Sequence, residues 1–333
     1  MLNVCVLGAG RIGSIHATNV AAHPGSCLRG VFDPQPGTAS TLAGALGART
    51  YAEVDQALAD AEVDAVVIAS STDTHVDLLQ RAARAGKAVF CEKPIDNDLE
   101  RVDRGVAAVQ EAGVPCLIAF NRRFDPSFAR LQRSLRDGAI GEVELCTITS
   151  RDPSPPPVAY VKVSGGLFRD MMIHDLDMAR WLLGEEPVEV FASGSSLVDP
   201  AIGAAGDIDT AAVILKTARG AICQISNSRR ASYGYDQRIE VHGARGMLQA
   251  GNVHESTFSS WTADGVVADR PLHFFLERYA EAYRREWDHF VCAVTEKRAP
   301  SPGVDDGRAA LVLAEAALRS LRSGHSVRVQ DLR

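Results

Sequence analysis

The chain has 333 residues, 46% of them hydrophobic and 23% charged, with a formal net charge of −7. That length and apolar content suit two globular domains, and an acidic balance with no basic block argues against a nucleic-acid binder. No apolar run approaches the about 20 residues that cross a bilayer, and the opening MLNVCVLGAG has no charged leader or cleavage site, so neither a membrane partner nor a secretory signal is expected.

Strand and helix signals alternate through the first third. Residues 2–8, LNVCVLG, form a continuous β-type run, as expected of a strand covered on both faces, and 12–22 follow as a helix. Further strands are expected at 28–33, 64–70, 87–94 and 114–120, separated by helices at 53–60, 75–85 and 99–112. Repeated strand–helix–strand units predict a parallel, doubly wound sheet. Near residue 120 the pattern changes. A helix at 128–136 and a strand at 142–150 lead into SRDPSPPPVAY (150–160), a proline-rich loop of the kind that lines sites. GGLFRDMMIHDLDMARWLLG (165–184) has the spacing of one helix. Strand candidates at 188–195, 208–216, 221–228, 237–242 and 257–261 alternate polar with apolar residues, which predicts an antiparallel sheet with one wet face. Amphipathic helices at 279–295 and 306–321 close the chain. The expected fold is therefore α/β, a doubly wound domain over 1–120 followed directly by an α+β domain over 121–333.

GAGRIG (Gly8, Ala9, Gly10, Arg11, Ile12, Gly13) fits G-x-G-x-x-G, follows a strand and opens a helix. Gly8 allows the sharp turn, Gly10 lets backbone approach a diphosphate, and Gly13 lets the helix pack on the sheet. Amides at the start of that helix face negative charge. Asp33 closes the second strand, 20 residues after Gly13. A carboxylate there accepts from ribose hydroxyls and repels a 2′-phosphate, so the expected cofactor is NAD rather than NADP. Two further strand ends fall in the same zone, because ligands of open α/β sheets sit beyond the carboxyl ends of the strands. They supply Ser70, Thr72 and His75 (SSTDTH), then Glu92 and Lys93 (CEKP). Helix capping is the other reading of Thr72 and His75.

Asp170, His174 and Asp177 stand at i, i+4 and i+7 of the 165–184 segment, one stripe of a helix otherwise suited to burial. Imidazole titrates near neutrality and suits a general base, and a carboxylate one turn earlier can fix its tautomer. Lys93 can orient a hydroxyl and favour a developing alkoxide. Helical spacing alone fits a solvated face or a structural Asp–His pair equally well. The seven cysteines are scattered, with no CxxC pair, as in reduced cytoplasmic proteins, and no metal is expected. Cys91 reads as a packing residue, Trp181 and Trp287 as core or interface residues, His16 as a residue that packs near the cofactor, and Arg229 and Arg230 as strand-end surface charges in preference to contacts with an acidic group.

GAGRIG with the following SIH, then Asp33, SSTDTH, EKP and DMMIHDLD, in this order over essentially the whole chain, resembles the Gfo/Idh/MocA oxidoreductase family. The likeness is strongest to its inositol-oxidising members, through FNRRFDPSF (120–128), SRDP (150–153), RDMMIHDLD (169–177) and RRASYGYDQRIEVHGARGML (229–248). The resemblance implies a Rossmann domain, then a domain with a large, open, mostly antiparallel sheet that builds dimers or tetramers. It implies NAD as cofactor, a cyclic polyol or sugar as substrate, and Lys93, Asp170 and His174 as the catalytic group. Arg122, Asp152 and a tyrosine, Tyr235 in preference to Tyr233, are the substrate contacts it suggests, while Asp177 supports the site or binds substrate. The implied reaction is oxidation of myo-inositol to 2-keto-myo-inositol. A scyllo-inositol or pyranose dehydrogenase is the alternative within the family, and a cofactor-sensing regulator the alternative outside it. Retention of Lys93, Asp170 and His174 argues against a regulator, which needs no base.

Overall fold

The computed structural model describes residues 1–332. Six strands, β1 (Leu2–Leu7), β2 (Ser26–Phe32), β3 (Arg49–Thr50), β4 (Ala65–Ile68), β5 (Ala88–Cys91) and β6 (Cys116–Ile118), pair in parallel in the order β3-β2-β1-β4-β5-β6. Every residue of β4 and β5 is buried, which explains their unbroken apolar sequences. The strand order reverses between β1 and β4, and that switch point opens a crevice at their carboxyl ends.

The core of this sheet, including Val4, Val67 and Phe90, is completed from far along the chain by Trp287, Phe290 and Val291 of the helix Ala280–Thr295. The rings of Trp287 and Phe290 each lie 5.7 Å from that of Phe90, and Trp287 Nε1 donates to Ser26 Oγ at 3.0 Å. The first compact unit is accordingly Met1–Phe124 with Ala282–Leu311, and the second is Asp125–Glu281 with the chain from Val312 onward. The expected division into 1–120 and 121–333 differs from this. A contiguous cut takes no account of an apolar helix face that returns to the first core.

In the second unit, β7 (Val143–Arg151), β8 (Pro187–Ser195), β9 (Thr210–Thr217), β10 (Ile222–Ser228), β11 (Asp236–Gly243) and β12 (Gly246–Ala250) form a large sheet. β13 (Ser259–Thr262) and β14 (Gly265–Ala268) make a separate hairpin, and β15 (Val327–Arg328) joins the large sheet, whose order is β12-β11-β7-β10-β9-β8-β15. The β7–β10 pair is parallel and the other pairs are antiparallel. Helix Ile173–Leu183 packs on β7 and β10. Along β9 and β11 buried and exposed residues alternate, so the opposite face is open, with Leu145, Phe191, Ile214, Ile222 and Met247 exposed.

Helices at Pro36–Leu46, Val158–Ser164 and Pro200–Ala204 have no counterpart among the elements expected from sequence. Among the described residues no helix is long and apolar enough to cross a membrane. All seven cysteines are free thiols.

Candidate active site

The glycine turn behaves as its residue types require. Gly8 follows β1 with φ +106°, in the region that favours glycine, and a Cβ there would stand 2.6 Å from Ala69 O. A Cβ on Gly13 would lie 1.9 Å from Gly8 O, so helix Arg11–Ala22 leaves the turn at a spacing only glycine permits. Gly10 is different, because nothing lies within 4 Å of its Cβ position. It caps that helix in extended conformation with no side-chain cap, and the first turn holds no acidic residue. An uncapped helix start with no acidic residue in its first turn and room at Gly10 suits a diphosphate. Arg11 is exposed and Ile12 half-buried beside them. Asp33 Oδ2 accepts from Ala9 N and Oδ1 from Gln35 N, both at 2.8 Å, so the carboxylate that closes β2 also braces the turn.

The other strand ends are tied to one another. Ser70 Oγ pairs with Thr74 Oγ1 at 2.6 Å, and Thr72 is half-buried in the first turn of helix Thr72–Arg84. His75 is buried, with Nδ1 2.8 Å from Pro94 O and Nε2 3.1 Å from Ser70 O. It staples the end of β4 to the Lys93–Pro94 turn and is not a helix cap. The Lys93–Pro94 peptide is cis. Glu92 accepts from Lys93 N at 3.2 Å through Oε2 and pairs with His16 Nε2 at 2.7 Å through Oε1. His16 is wholly buried between the rings of Phe90 and Tyr283, as a packing residue would be. Cys91 is buried too, and desolvation drives its thiol well above the usual range, which makes it inert.

Glu286 was missed by sequence reasoning. On the amphipathic pattern of 279–295 it reads as polar surface, yet it is fully buried, and neither carboxyl oxygen has a hydrogen-bond partner among the described residues. Burial, reinforced by the Glu92 charge, pushes its pKa well above the carboxylate range. The folded state then holds a proton that the unfolded chain releases. The stability this gives is present at acid pH and is lost as pH rises towards the folded pKa. Glu286→Gln cannot ionise, so its melting temperature relative to the parent should rise between about pH 5 and about pH 8. Calorimetric melting curves that stay parallel across that interval would remove the assignment.

In the second unit the 165–184 segment is not the single helix expected. Helix Gly166–Asp170 stops, Met171 and Met172 follow, and helix Ile173–Leu183 begins. The amides of Met171 and Met172 both reach Leu167 O, at 3.0 and 2.9 Å, and the second makes a wide turn of the kind found at functional sites. One extra residue in that turn rotates the second helix relative to the first. The three polar side chains are therefore not spaced as on one regular helix. Asp177 is fully buried and pairs with Arg180 at 3.8 Å, while Asp170 ends the first helix and His174, half-buried, lies in the first turn of the second. Asp170 Oδ1 accepts from Tyr160 Oη at 3.0 Å, and Oδ2 lies 3.4 Å from Arg229 Nη2. Arg229 is thus no surface charge, at 2% exposure, whereas Arg230 is exposed. Its partner is a carboxylate 59 residues earlier, a pairing that local sequence does not signal.

The remaining candidates divide between the units. Arg122 is buried in the 3-10 turn Asn121–Phe124 of the first. In the second, Asp152 is half-buried just past β7, its amide on Ser228 O at 3.0 Å. Tyr235 is buried with its ring 5.9 Å from that of Tyr279. Tyr233 is exposed and donates to Asp236 Oδ2 at 2.6 Å. Among the described residues no group of three or more His, Cys, Asp or Glu is placed to hold a metal ion. An imidazole one turn beyond an anchored carboxylate can accept a proton from an alcohol.

Residues 2–120 match the model of an oxidoreductase family with an NAD-binding Rossmann fold, and residues 128–249 match the GFO/IDH/MocA C-terminal domain. The chain is 51% identical to an inositol 2-dehydrogenase of Rhizobium meliloti (strain 1021), over 97% of this chain and 98% of the other. It is similar to the crystal structure of a probable dehydrogenase from Thermotoga maritima, with a TM-score of 0.98 and 44% identity over 100% of both chains. A scyllo-inositol dehydrogenase from Lactobacillus casei, solved with bound NAD(H) and scyllo-inositol, gives a TM-score of 0.92 and 29% identity over 99% of both chains. The cofactor is NAD, and the uncapped helix start at Gly10 with the braced Asp33 carboxylate fits it. By both of its domains and along nearly its full length, the chain belongs to the Gfo/Idh/MocA family of NAD-dependent oxidoreductases.

Proposed function

We propose that this chain oxidises myo-inositol to 2-keto-myo-inositol (scyllo-inosose). NAD, when bound, supplies the hydride acceptor. In this reading the backbone of Gly8, Gly10, Arg11, Ile12 and Gly13 receives the diphosphate and Asp33 the ribose. Ser70, Thr72, His75, Glu92 and Lys93 form the rest of the cofactor's surroundings, with His75 acting through the staple it makes. His174 takes the hydroxyl proton as general base. Asp170 fixes the tautomer of the ring and stabilises the imidazolium, and Lys93 steadies the oxygen as negative charge develops. Arg122, Asp152 and Tyr235 meet the ring hydroxyls.

The observation that carries the chemistry is the Asp170 carboxylate, held on both oxygens and followed across the wide turn by an imidazole four residues on. A cofactor-sensing regulator has no use for that arrangement. Full-length likeness to an inositol 2-dehydrogenase supports the substrate. Scyllo-inositol is the second reading, favoured by the likeness to the Lactobacillus casei enzyme. Purified protein with NAD and a panel of myo-inositol, scyllo-inositol and pyranoses should give its highest kcat/KM on myo-inositol, followed by reduced-nicotinamide absorbance. A higher value on scyllo-inositol or a pyranose would transfer the assignment to that substrate. No turnover of any polyol would leave the regulator.

The open sheet face, with Leu145, Phe191, Ile214, Ile222 and Met247 exposed, supports a homodimer or homotetramer joined through it. A sedimentation coefficient of a monomer at working concentration would remove that part. Seven free thiols support a cytoplasmic location, which fractionation would check.

A further inference from the structure

Arg229 is 2% exposed, so its guanidinium is cut off from water. Its backbone N–H is fixed on Asp209 O at 2.8 Å, directly past β10. The carboxylate that answers its charge is Asp170, with Nη2 3.4 Å from Oδ2. Among the described residues Arg229 has no other ion-pair partner, and its Nε has no acceptor. A buried ion pair is poor evidence of stabilisation, since well-packed apolar residues of similar volume commonly serve a fold as well or better. Packing alone therefore does not explain an arginine here. What only a cation supplies is a fixed positive charge against Asp170.

We propose that Arg229 is a positioning residue that fixes the orientation of the Asp170 carboxylate. The inference rests on the proposed roles of Asp170 and His174. A freely rotating Asp170 could neither hold the His174 tautomer nor stabilise its imidazolium. The Arg229 guanidinium from the end of β10 and the Tyr160 phenol from helix Val158–Ser164 both meet Asp170, and His174 follows four residues on.

A double-mutant cycle on the intact enzyme, read in kcat, separates action through Asp170 from a purely structural role. Arg229→Met should lower kcat about tenfold or more with NAD affinity unchanged, and the same change in an Asp170→Asn background should cost less than about twofold. Equal factors in the two backgrounds, or an unaltered kcat in Arg229→Met, would overturn the proposal. An Asp170→Asn enzyme with undiminished kcat would overturn the reading of Asp170 itself, and this inference with it. That result appears without touching Arg229, so the two failures are distinguishable. Should the methionine variant not fold, Arg229→Lys, which keeps the charge but not the planar fork, carries the same cycle. Equal factors in both backgrounds overturn the proposal there too.

Discussion

His174→Ala is expected to lower kcat on the preferred polyol by about 10³-fold, within the range that a positioned general base contributes. The reason is proton accounting. Hydride cannot leave the carbinol carbon until the hydroxyl proton has somewhere to go, and imidazole is the group in this segment that titrates near neutral pH. Alanine leaves hydroxide to do that work, so the residual rate should climb with pH instead of levelling off. NAD affinity should hold, because the glycine turn and Asp33 belong to the first compact unit and His174 to the second. Stopped-flow measurement of the hydride step, paired with NAD titration, reads both quantities. Undiminished turnover would remove His174 from the mechanism.

The second and third glycines of the turn should differ in what the same methyl group does to stability. Gly13→Ala would place a Cβ 1.9 Å from Gly8 O and 2.8 Å from Gly8 C, both backbone atoms that cannot step aside. The helix must then lift from the sheet, an overpacking cost of about 1–3 kcal/mol and a melting temperature lower by roughly 2–10 °C. NAD binding should fall with it. Gly10→Ala meets no atom within 4 Å and keeps an ordinary backbone, so its melting temperature should stay within about 1 °C of the parent. Its methyl group would fill the space in front of the helix amides, and the Kd for NAD should rise on the order of tenfold or more. Tight NAD binding by Gly10→Ala would move the diphosphate away from this turn.

Much of the first unit is legible in the sequence because β4 and β5 are wholly buried, and β1 nearly so, which makes them almost unbroken apolar runs. The glycines and Asp33 are legible because backbone geometry dictates their types. Helix Pro36–Leu46 is not, since PGTASTLAGAL is built of small residues whose helical period is faint. Nor is the parallel pairing of β7 with β10, because strand sequences carry no direction. At the site, Asp170 and His174 stand out by spacing, but the wide turn at Met171–Met172 does not, as both methionines suit a regular helix. Arg229 and Glu286 are illegible for a shared reason. A charge-bearing residue type reads as exposed, and only distant chain segments decide that it is not.

The split first unit has a consequence for biosynthesis. A nascent chain that has emerged only as far as Phe124 possesses all six strands of the nucleotide-type sheet, yet Phe90 still lacks Trp287, Phe290 and Val291. The ribosome must deliver the entire intervening segment before those three side chains arrive. This protein therefore cannot mature strictly from its N-terminus, and its half-made sheet must keep an uncovered aromatic surface until translation is nearly finished.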